Sequence, residues 1–447
     1  MNPSNQTFST DQLIQLAIRH HQAGELELAE GIYIQILHAQ PDNIDALHLL
    51  GLIHLQQGRH DSAIALIQQA IAIAPNVAKF HGNLGNAFKS LGTFEKAVAC
   101  YKQALSLDPG NQLAYGNYLD LILGNLVAAD DAAGQLLTGT ASFFHQLQIE
   151  ITTDCNLKCE ECPRTIGMAR QHWVSRHMSI DDFRLIVEHA PRAAVATLQG
   201  VGEPTLHPLL GDFIPIVRAS GKFQHVILNT NALARDLDYY RKLHETGLTT
   251  VSISVDSLNQ EVAALCRFGT KVEKLKQRIV DLAAIFPGLS ITLVASRLNV
   301  ADIPATLVWL NKAGNYRVEI QVAIDFKRDH AQTNALSNSE SHALLNRILG
   351  MKDEIQNLSL AFSPSMLSVA GQAVSRCNKP FLAPYVTIDG FLTPCCVCYD
   401  ESLYGHANLI RSDMQSLWAT PVVSGWLQSY LRKSPDMCTG CSFNPCT

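Results

Sequence analysis

Two hydrophobic rhythms divide the chain. From residue 11 to about 112, apolar positions recur at helical spacing and the pattern repeats every 34 residues. Gly24, Gly58 and Gly92 fall in register, as do Ala29, Ala63 and Ala97, then Tyr33, Ile67 and Tyr101, then Pro41, Pro75 and Pro109. Each column has a physical use. Glycine relieves crowding where two helices turn, alanine lets helices approach, and proline ends the second helix of each unit. From about 143 to 325 the rhythm changes to short β-rich runs at Leu147–Thr153, Ala194–Gly200, His225–Thr230, Thr250–Asp256, Ile291–Ser296 and Val318–Ile324. Amphipathic stretches at Ile180–Ala190, Tyr239–Thr246, Val272–Ile285 and Ile303–Ala313 separate them. Strands alternating with helices predict parallel βα units, with functional loops at the strand C-termini.

The 34-residue unit has the period and pattern of the tetratricopeptide repeat, a helix–turn–helix motif that stacks into a superhelix with a concave face. Such a face suits an extended peptide or a protein partner; packing or dimerisation is the other use. His20 and His54 share a column with Phe88 and so read as packing residues.

Composition narrows the class. The 447 residues carry a net charge of −6, with 47% apolar and 17% charged side chains, as in ordinary globular proteins. No basic cluster recommends nucleic acid. No apolar run reaches the roughly 18 residues of a membrane span, and the N-terminus has no signal-peptide pattern, so the expected location is cytoplasmic. Twelve cysteines in such a chain point to metal or redox use rather than a disulfide framework.

The chemistry concentrates after the first β-run, in Asp154-Cys155-Asn-Leu-Lys-Cys159-Glu-Glu-Cys162-Pro163. Three thiolates spaced CxxxCxxC can wrap one face of a cubane iron–sulfur cluster, leaving one iron open to a small molecule; half of a zinc site is the alternative. This loop resembles that of radical S-adenosylmethionine (SAM) enzymes, although Glu161 stands where the family often has an aromatic residue. The resemblance implies a [4Fe–4S] cluster on Cys155, Cys159 and Cys162 whose open iron chelates SAM. Reductive cleavage then yields a 5′-deoxyadenosyl radical that abstracts hydrogen from substrate. Gly200-Val-Gly202-Glu203-Pro204 resembles the family's Gly-Gly-Glu-Pro loop, which implies that Gly202, Glu203 and Pro204 hold the SAM amino group. Leu228-Asn-Thr-Asn231-Ala232 is similar to the family's Thr-Asn-Gly with glycine replaced, and Asn231 joins the cofactor-binding candidates. Alternation puts Ser252, Ser254 and Asp256 on one strand face. Facing a barrel lumen, these three would hydrogen-bond SAM's ribose or the substrate, with Ser254 and Asp256 the cofactor-binding candidates; capping of the next helix is the alternative. Arg267 and Asn299 are lesser candidates, and Cys266 is a weak candidate catalytic hydrogen-atom donor.

A second cysteine set closes the chain: Cys377, Cys395, Cys396, Cys398, Cys438, Cys441 and Cys446. Asp389-Gly390 between two β-rich runs predicts a hairpin whose base brings Cys377 and Cys395 together. Cys438-Thr-Gly-Cys441 adds a CxxC pair. This stretch resembles the SPASM/twitch extension of radical SAM enzymes, which implies one auxiliary [4Fe–4S] cluster on Cys377, Cys395, Cys438 and Cys441; structural zinc is the alternative. Cys446 is an alternative ligand, and Cys396 and Cys398 have no assigned role.

The expected architecture is therefore multi-domain. An all-α repeat superhelix (1–118) leads through a helical connector (119–142) to an α/β partial (β/α)6 radical SAM barrel (143–330). A linker with helices (331–375) and a small Cys-rich SPASM/twitch domain (376–447) follow. The expected activity is that of a peptide- or protein-modifying maturase, an oxidoreductase served by a ferredoxin- or flavodoxin-like electron donor. The alternative is a small-molecule, sugar-like alcohol dehydrogenase or epimerase whose repeats dock a partner.

Overall fold

A computed structural model describes residues 9–108, 111–124, 127–128, 130, 134, 144–169, 173–324, 334–367, 377–397, 400–433, 435, 438 and 441. Pro109, most of the connector, residues 329–333 of the predicted polar loop, Cys398 and Cys446 lie outside them. The chain forms two compact units, divided between residues 129 and 130.

The first unit is helical. α1 (Thr10–Gln22), α2 (Leu26–Ala39), α3 (Ile44–Gln56), α4 (His60–Ile73), α5 (Ala78–Ser90), α6 (Phe94–Leu107) and α7 (Gln112–Leu123) pair in sequence order. Ser9 starts α1 with a capping box to Gln12, and Asn43 and Asn111 cap α3 and α7. The repeat columns land where the pattern requires. Ala29, Ala63, Ala97, Tyr33, Ile67 and Tyr101 are all fully buried. Gly24, Gly58 and Gly92 each adopt left-handed backbone, φ +80°, +75° and +75°, which closes the interhelical turn. His54 is buried and bonded to Ser62 and Glu30, a packing residue as its column indicated.

The second unit is built on strands. They are β1 (Phe144–Ile149), β2 (Lys158–Cys159), β3 (Ala193–Leu198), β4 (Phe223–Thr230), β5 (Thr250–Ser254), β6 (Arg267–Phe268), β7 (Ser290–Ala295), β8 (Arg317–Val322), β9 (Ser359–Phe362), β10 (Tyr385–Val386) and β11 (Leu392–Thr393). Nine join one sheet in the order β11-β10-β1-β3-β4-β5-β7-β8-β9, parallel except for the β10–β11 hairpin; β2 and β6 form a separate antiparallel pair. The six predicted strands are its centre, with helices at Ile180–His189, Leu237–Glu245, Val272–Ile285 and Ile303–Ala313 where the amphipathic stretches lay. The helix Leu210–Ala219 escaped the pattern because Pro215 sits inside it.

Three expectations need correction. β1 begins and ends earlier than its apolar run, because Ile151 and Thr153 leave the sheet to pair with Met178 and Arg176. The sheet does not end near residue 330: β9 adds a parallel strand on β8. The Asp389-Gly390 hairpin forms as predicted, but it extends the barrel sheet at the β1 edge. The C-terminal region is thus continuous with the barrel, since a free β1 edge is an open row of hydrogen-bonding groups that β10 satisfies.

Candidate active site

The strand ends surround a cavity of about 850 Å³ that Cys155, Cys159, Cys162, Gly202, Glu203, Asn231, Ser254 and Asp256 all line. Inner-face positions make its wall polar, with Gln146 and Gln148 on β1, Asn229 on β4, Ser252 on β5, and Glu319 and Gln321 on β8. The three cysteines are half-buried, and their thiols lie within electrostatic reach of one another. Burial pushes the Cys159 thiol up to about 12. Among the described residues, no three His, Cys, Asp or Glu side chains converge as a single bare ion requires.

The main chain braces the cysteine loop. The Glu203 N–H donates to Asp154 O at 2.6 Å, Glu160 N–H to Cys266 O, and Leu157 N–H to Cys155 Sγ at 3.5 Å. Arg164, buried and missed in the sequence reading, donates to Thr153 O and Leu157 O, with Asp154 3.8 Å away. A Cβ on Gly202 would collide with the carbonyls of Thr152 and Asp154, so only glycine fits beneath the loop.

Glu203 is 3% exposed. Its Oε1 accepts from Thr205 N–H, Thr205 Oγ1 and Thr230 Oγ1, and Oε2 accepts from Asn231 N–H at 2.7 Å. The carboxylate therefore ties the end of β4 to the Gly200–Pro204 turn, while the Glu203 main chain ties that turn to the cysteine loop, and Oε2 keeps one lone pair for a further donor. Pro204 opens a short 3₁₀ turn behind it. Asn231 Nδ2 donates to Asn156 Oδ1 of the cysteine loop, and Ala232 holds the left-handed backbone (φ +59°) for which its motif elsewhere uses glycine.

Asp256 is engaged. Arg267 donates to it from Nε at 2.5 Å and from Nη2 at 3.3 Å, and Val294 N–H adds a third bond. Burial opposes charge on Arg267, but Asp256 and the thiols of Cys159 and Cys162 outweigh it and hold the guanidinium firmly protonated. Asn299 is a correction: its amide donates to Asp256 O and Val294 O and accepts from Ser296 N–H, so it pins a loop and offers nothing to the cavity. Cys266 lines the cavity as a buried thiol beside Ser296, pushed up to about 12 by burial. Glu161, at the departure from the aromatic pattern, accepts from Asn334 at 2.7 Å.

In the second set, the thiols of Cys441 and Cys396 lie within electrostatic reach of Cys377, and Lys379 faces Cys396, Cys377, Cys395 and Glu319. Tyr430 donates to Cys377 O, and Cys441 N–H to Cys438 O. Cys396, given no role from sequence, belongs to this group and lines the main cavity. Lys379 lies within electrostatic reach of Glu319 on β8 while β10 pairs with β1, so the C-terminal segment adjoins strands from both sides of the sheet.

The fold and this loop define a class. Residues 149–310 match the radical SAM superfamily and residues 42–110 match a tetratricopeptide repeat model. The chain thus carries an N-terminal repeat array, then a mostly parallel α/β unit whose residues 149–310 match the radical SAM domain, then a Cys-rich C-terminal region. A radical SAM domain implies a [4Fe–4S] cluster and SAM. Among curated relatives, it is 28% identical over 180 residues to the tungsten-containing aldehyde ferredoxin oxidoreductase cofactor-modifying protein of Pyrococcus furiosus, covering 38% of this chain and 48% of that one. It is 24% identical over 276 residues to a probable GTP 3′,8-cyclase of Methanococcus maripaludis, covering 59% and 89%. The chain thus spans about half the length of the first relative. Two solved structures share the fold. Native anSMEcpe with bound AdoMet has TM-score 0.52 and 16% identity, covering 67% of this chain and 89% of that one. Streptococcus suis SuiB bound to precursor peptide SuiA has TM-score 0.53 and 13% identity, covering 80% and 87%.

Proposed function

We propose that this protein is a radical SAM maturase that modifies a peptide or protein by hydrogen abstraction. The observation that carries the reading is one cavity lined by the three loop cysteines and by the Gly200–Glu203 turn. The donor set fits the implied groups: thiolate is the usual cluster ligand, and a cubane takes one ligand per iron, so its thiols need not converge on one point. Cys155, Cys159 and Cys162 would hold the cluster, and Gly202 with the remaining lone pair of Glu203 Oε2 would receive the SAM ammonium. Pro204, Asn231, Ser254 and Asp256 would shape the same pocket, Asp256 through its pairing with Arg267. When bound, the cluster and SAM supply one-electron cleavage to a 5′-deoxyadenosyl radical. The chain's part is to orient both against the cavity and to exclude water from it.

A peptide client is supported by the polar barrel wall, which offers side-chain amides and hydroxyls to hydrogen-bonding groups, and by a repeat array of the kind that takes extended partners. The precursor peptide bound to SuiB belongs to a protein of the same fold. An auxiliary [4Fe–4S] cluster on Cys377, Cys395, Cys438 and Cys441 completes the proposal, with Cys396 a further ligand candidate, and a ferredoxin- or flavodoxin-like donor supplies electrons.

Iron content and SAM cleavage test it. Replacing Cys155, Cys159 and Cys162 by Ala in anaerobically reconstituted protein should abolish 5′-deoxyadenosine release while about half of the iron remains, at the C-terminal site. Loss of all iron would contradict two independent sites. Removing residues 1–129 should abolish client turnover but leave uncoupled SAM cleavage; unchanged client turnover would exclude docking by the repeats.

A further inference from the structure

One buried carboxylate outside every motif joins the two halves of the site. Glu150, the residue after β1, is 4% exposed. Its Oε1 accepts from Val201 N–H at 3.0 Å and its Oε2 from Ile388 N–H at 3.1 Å. Val201 lies between Gly200 and Gly202 in the turn assigned above to SAM, and Ile388 enters the turn of the C-terminal hairpin. A Cβ on Gly200 would collide with the Glu150 side chain, so the turn is moulded onto this carboxylate. A second tie runs parallel to it. Arg176 forms a two-pronged ion pair with Asp389 at 2.7 and 2.9 Å, and its main chain pairs with Thr153 just before the cysteine loop.

We infer that Glu150 is a positioning residue that fixes the Gly200–Gly202 turn for SAM and makes its geometry depend on the C-terminal hairpin. This rests on the SAM reading of that turn. The residue type fits the task. Two N–H donors converge from two segments, and only an ionised carboxylate offers two acceptor oxygens; glutamine offers one. Leaving either N–H buried without an acceptor is costly, so the two segments hold or loosen together. Burial raises the Glu150 pKa, and the hydrogen bonds from Val201 and Ile388 partly offset that rise.

The test uses the full-length, anaerobically reconstituted protein with Glu150→Gln, Glu150→Ala and the surface variant Asp389→Asn. Hydrogen exchange is measured over 199–203 and 386–390, and SAM KM and kcat are measured from 5′-deoxyadenosine release. Glu150→Gln should speed exchange in both segments together and raise SAM KM about 10-fold with little change in kcat, the loss of one charge-assisted bond. Glu150→Ala should do more, and Asp389→Asn should move both readouts in the same direction by about 2- to 3-fold. Faster exchange in one segment alone overturns the coupling. So does a parallel fall in kcat, iron and Tm at constant KM, the mark of a merely structural role. If the wild-type protein cleaves no SAM, the SAM reading fails, while exchange still decides whether Glu150 couples the segments.

Discussion

The repeat array and the barrel unit are held together by opposite kinds of contact. In the array, each helix packs on its sequence neighbours, and the residues that matter recur every 34 positions. In the barrel unit, the decisive bonds leap along the chain: Glu203 to Asn231, Arg267 to Asp256, Glu150 to Ile388, Arg176 to Asp389. Damage in a repeat is therefore expected to stay local and graded. In the barrel unit one side chain braces two distant loops, so a small change is expected to reach the chemistry.

Four experiments sharpen or break that contrast. Gly202→Ala should be the most severe, because its methyl group meets two carbonyls of the cysteine loop that have no room to yield. A displaced loop should cost about 100-fold in SAM cleavage. Activity within a few-fold of wild type would show that the loop is softer than its bonding indicates. Arg267→Met strands Asp256, a buried carboxylate, and should lower unfolding stability by about 3–5 kcal/mol, read by chemical denaturation. Asp256→Leu added to it should recover much of that loss.

The array has its own liability. His48 is buried against Phe80, with Nε2 beside Asn83, and burial pulls its pKa down to about 4. A histidine that takes up its proton more readily when unfolded is neutral in both states above pH 6.5. Stability should then fall as pH drops from 6.5 to about 4, by roughly 3 kcal/mol at most. His48→Phe should remove that pH dependence, and SAM cleavage at neutral pH should not change. An effect of this substitution on cleavage would break the separation of the units. Ala232→Gly should be mildest. It relieves left-handed strain at φ +59° but loosens the unfolded chain, for a net gain of no more than about 1 kcal/mol in thermal unfolding.

Legibility in the sequence followed the same divide. The repeats were readable to individual columns, down to the left-handed glycines, because local packing writes itself as a period. The six central strands were readable because alternation reports which face is covered; it grouped Ser252, Ser254 and Asp256 on one face, and the fold turned that face to the cavity. The cysteine loop and the Gly200–Pro204 turn were visible as spacing. Arg164 and Glu150 were not, since a lone charged residue looks the same whether it meets water or a buried carbonyl. Nor could the sequence show that Asp256 is committed to Arg267, that Asn299 pins a loop, or that Cys396 joins the C-terminal thiols.

By itself, then, the sequence determined the repeat array, the alternating strands and helices, and the two groups of cysteines, all features whose cause lies within a few tens of residues. Tertiary structure alone decided that the C-terminal hairpin would become part of the barrel sheet. It also decided which charges would be consumed as braces and which would face the cavity. Those outcomes depend on which buried donors and acceptors meet across the folded chain, and an unpartnered polar group in the interior is too costly to leave that pairing open.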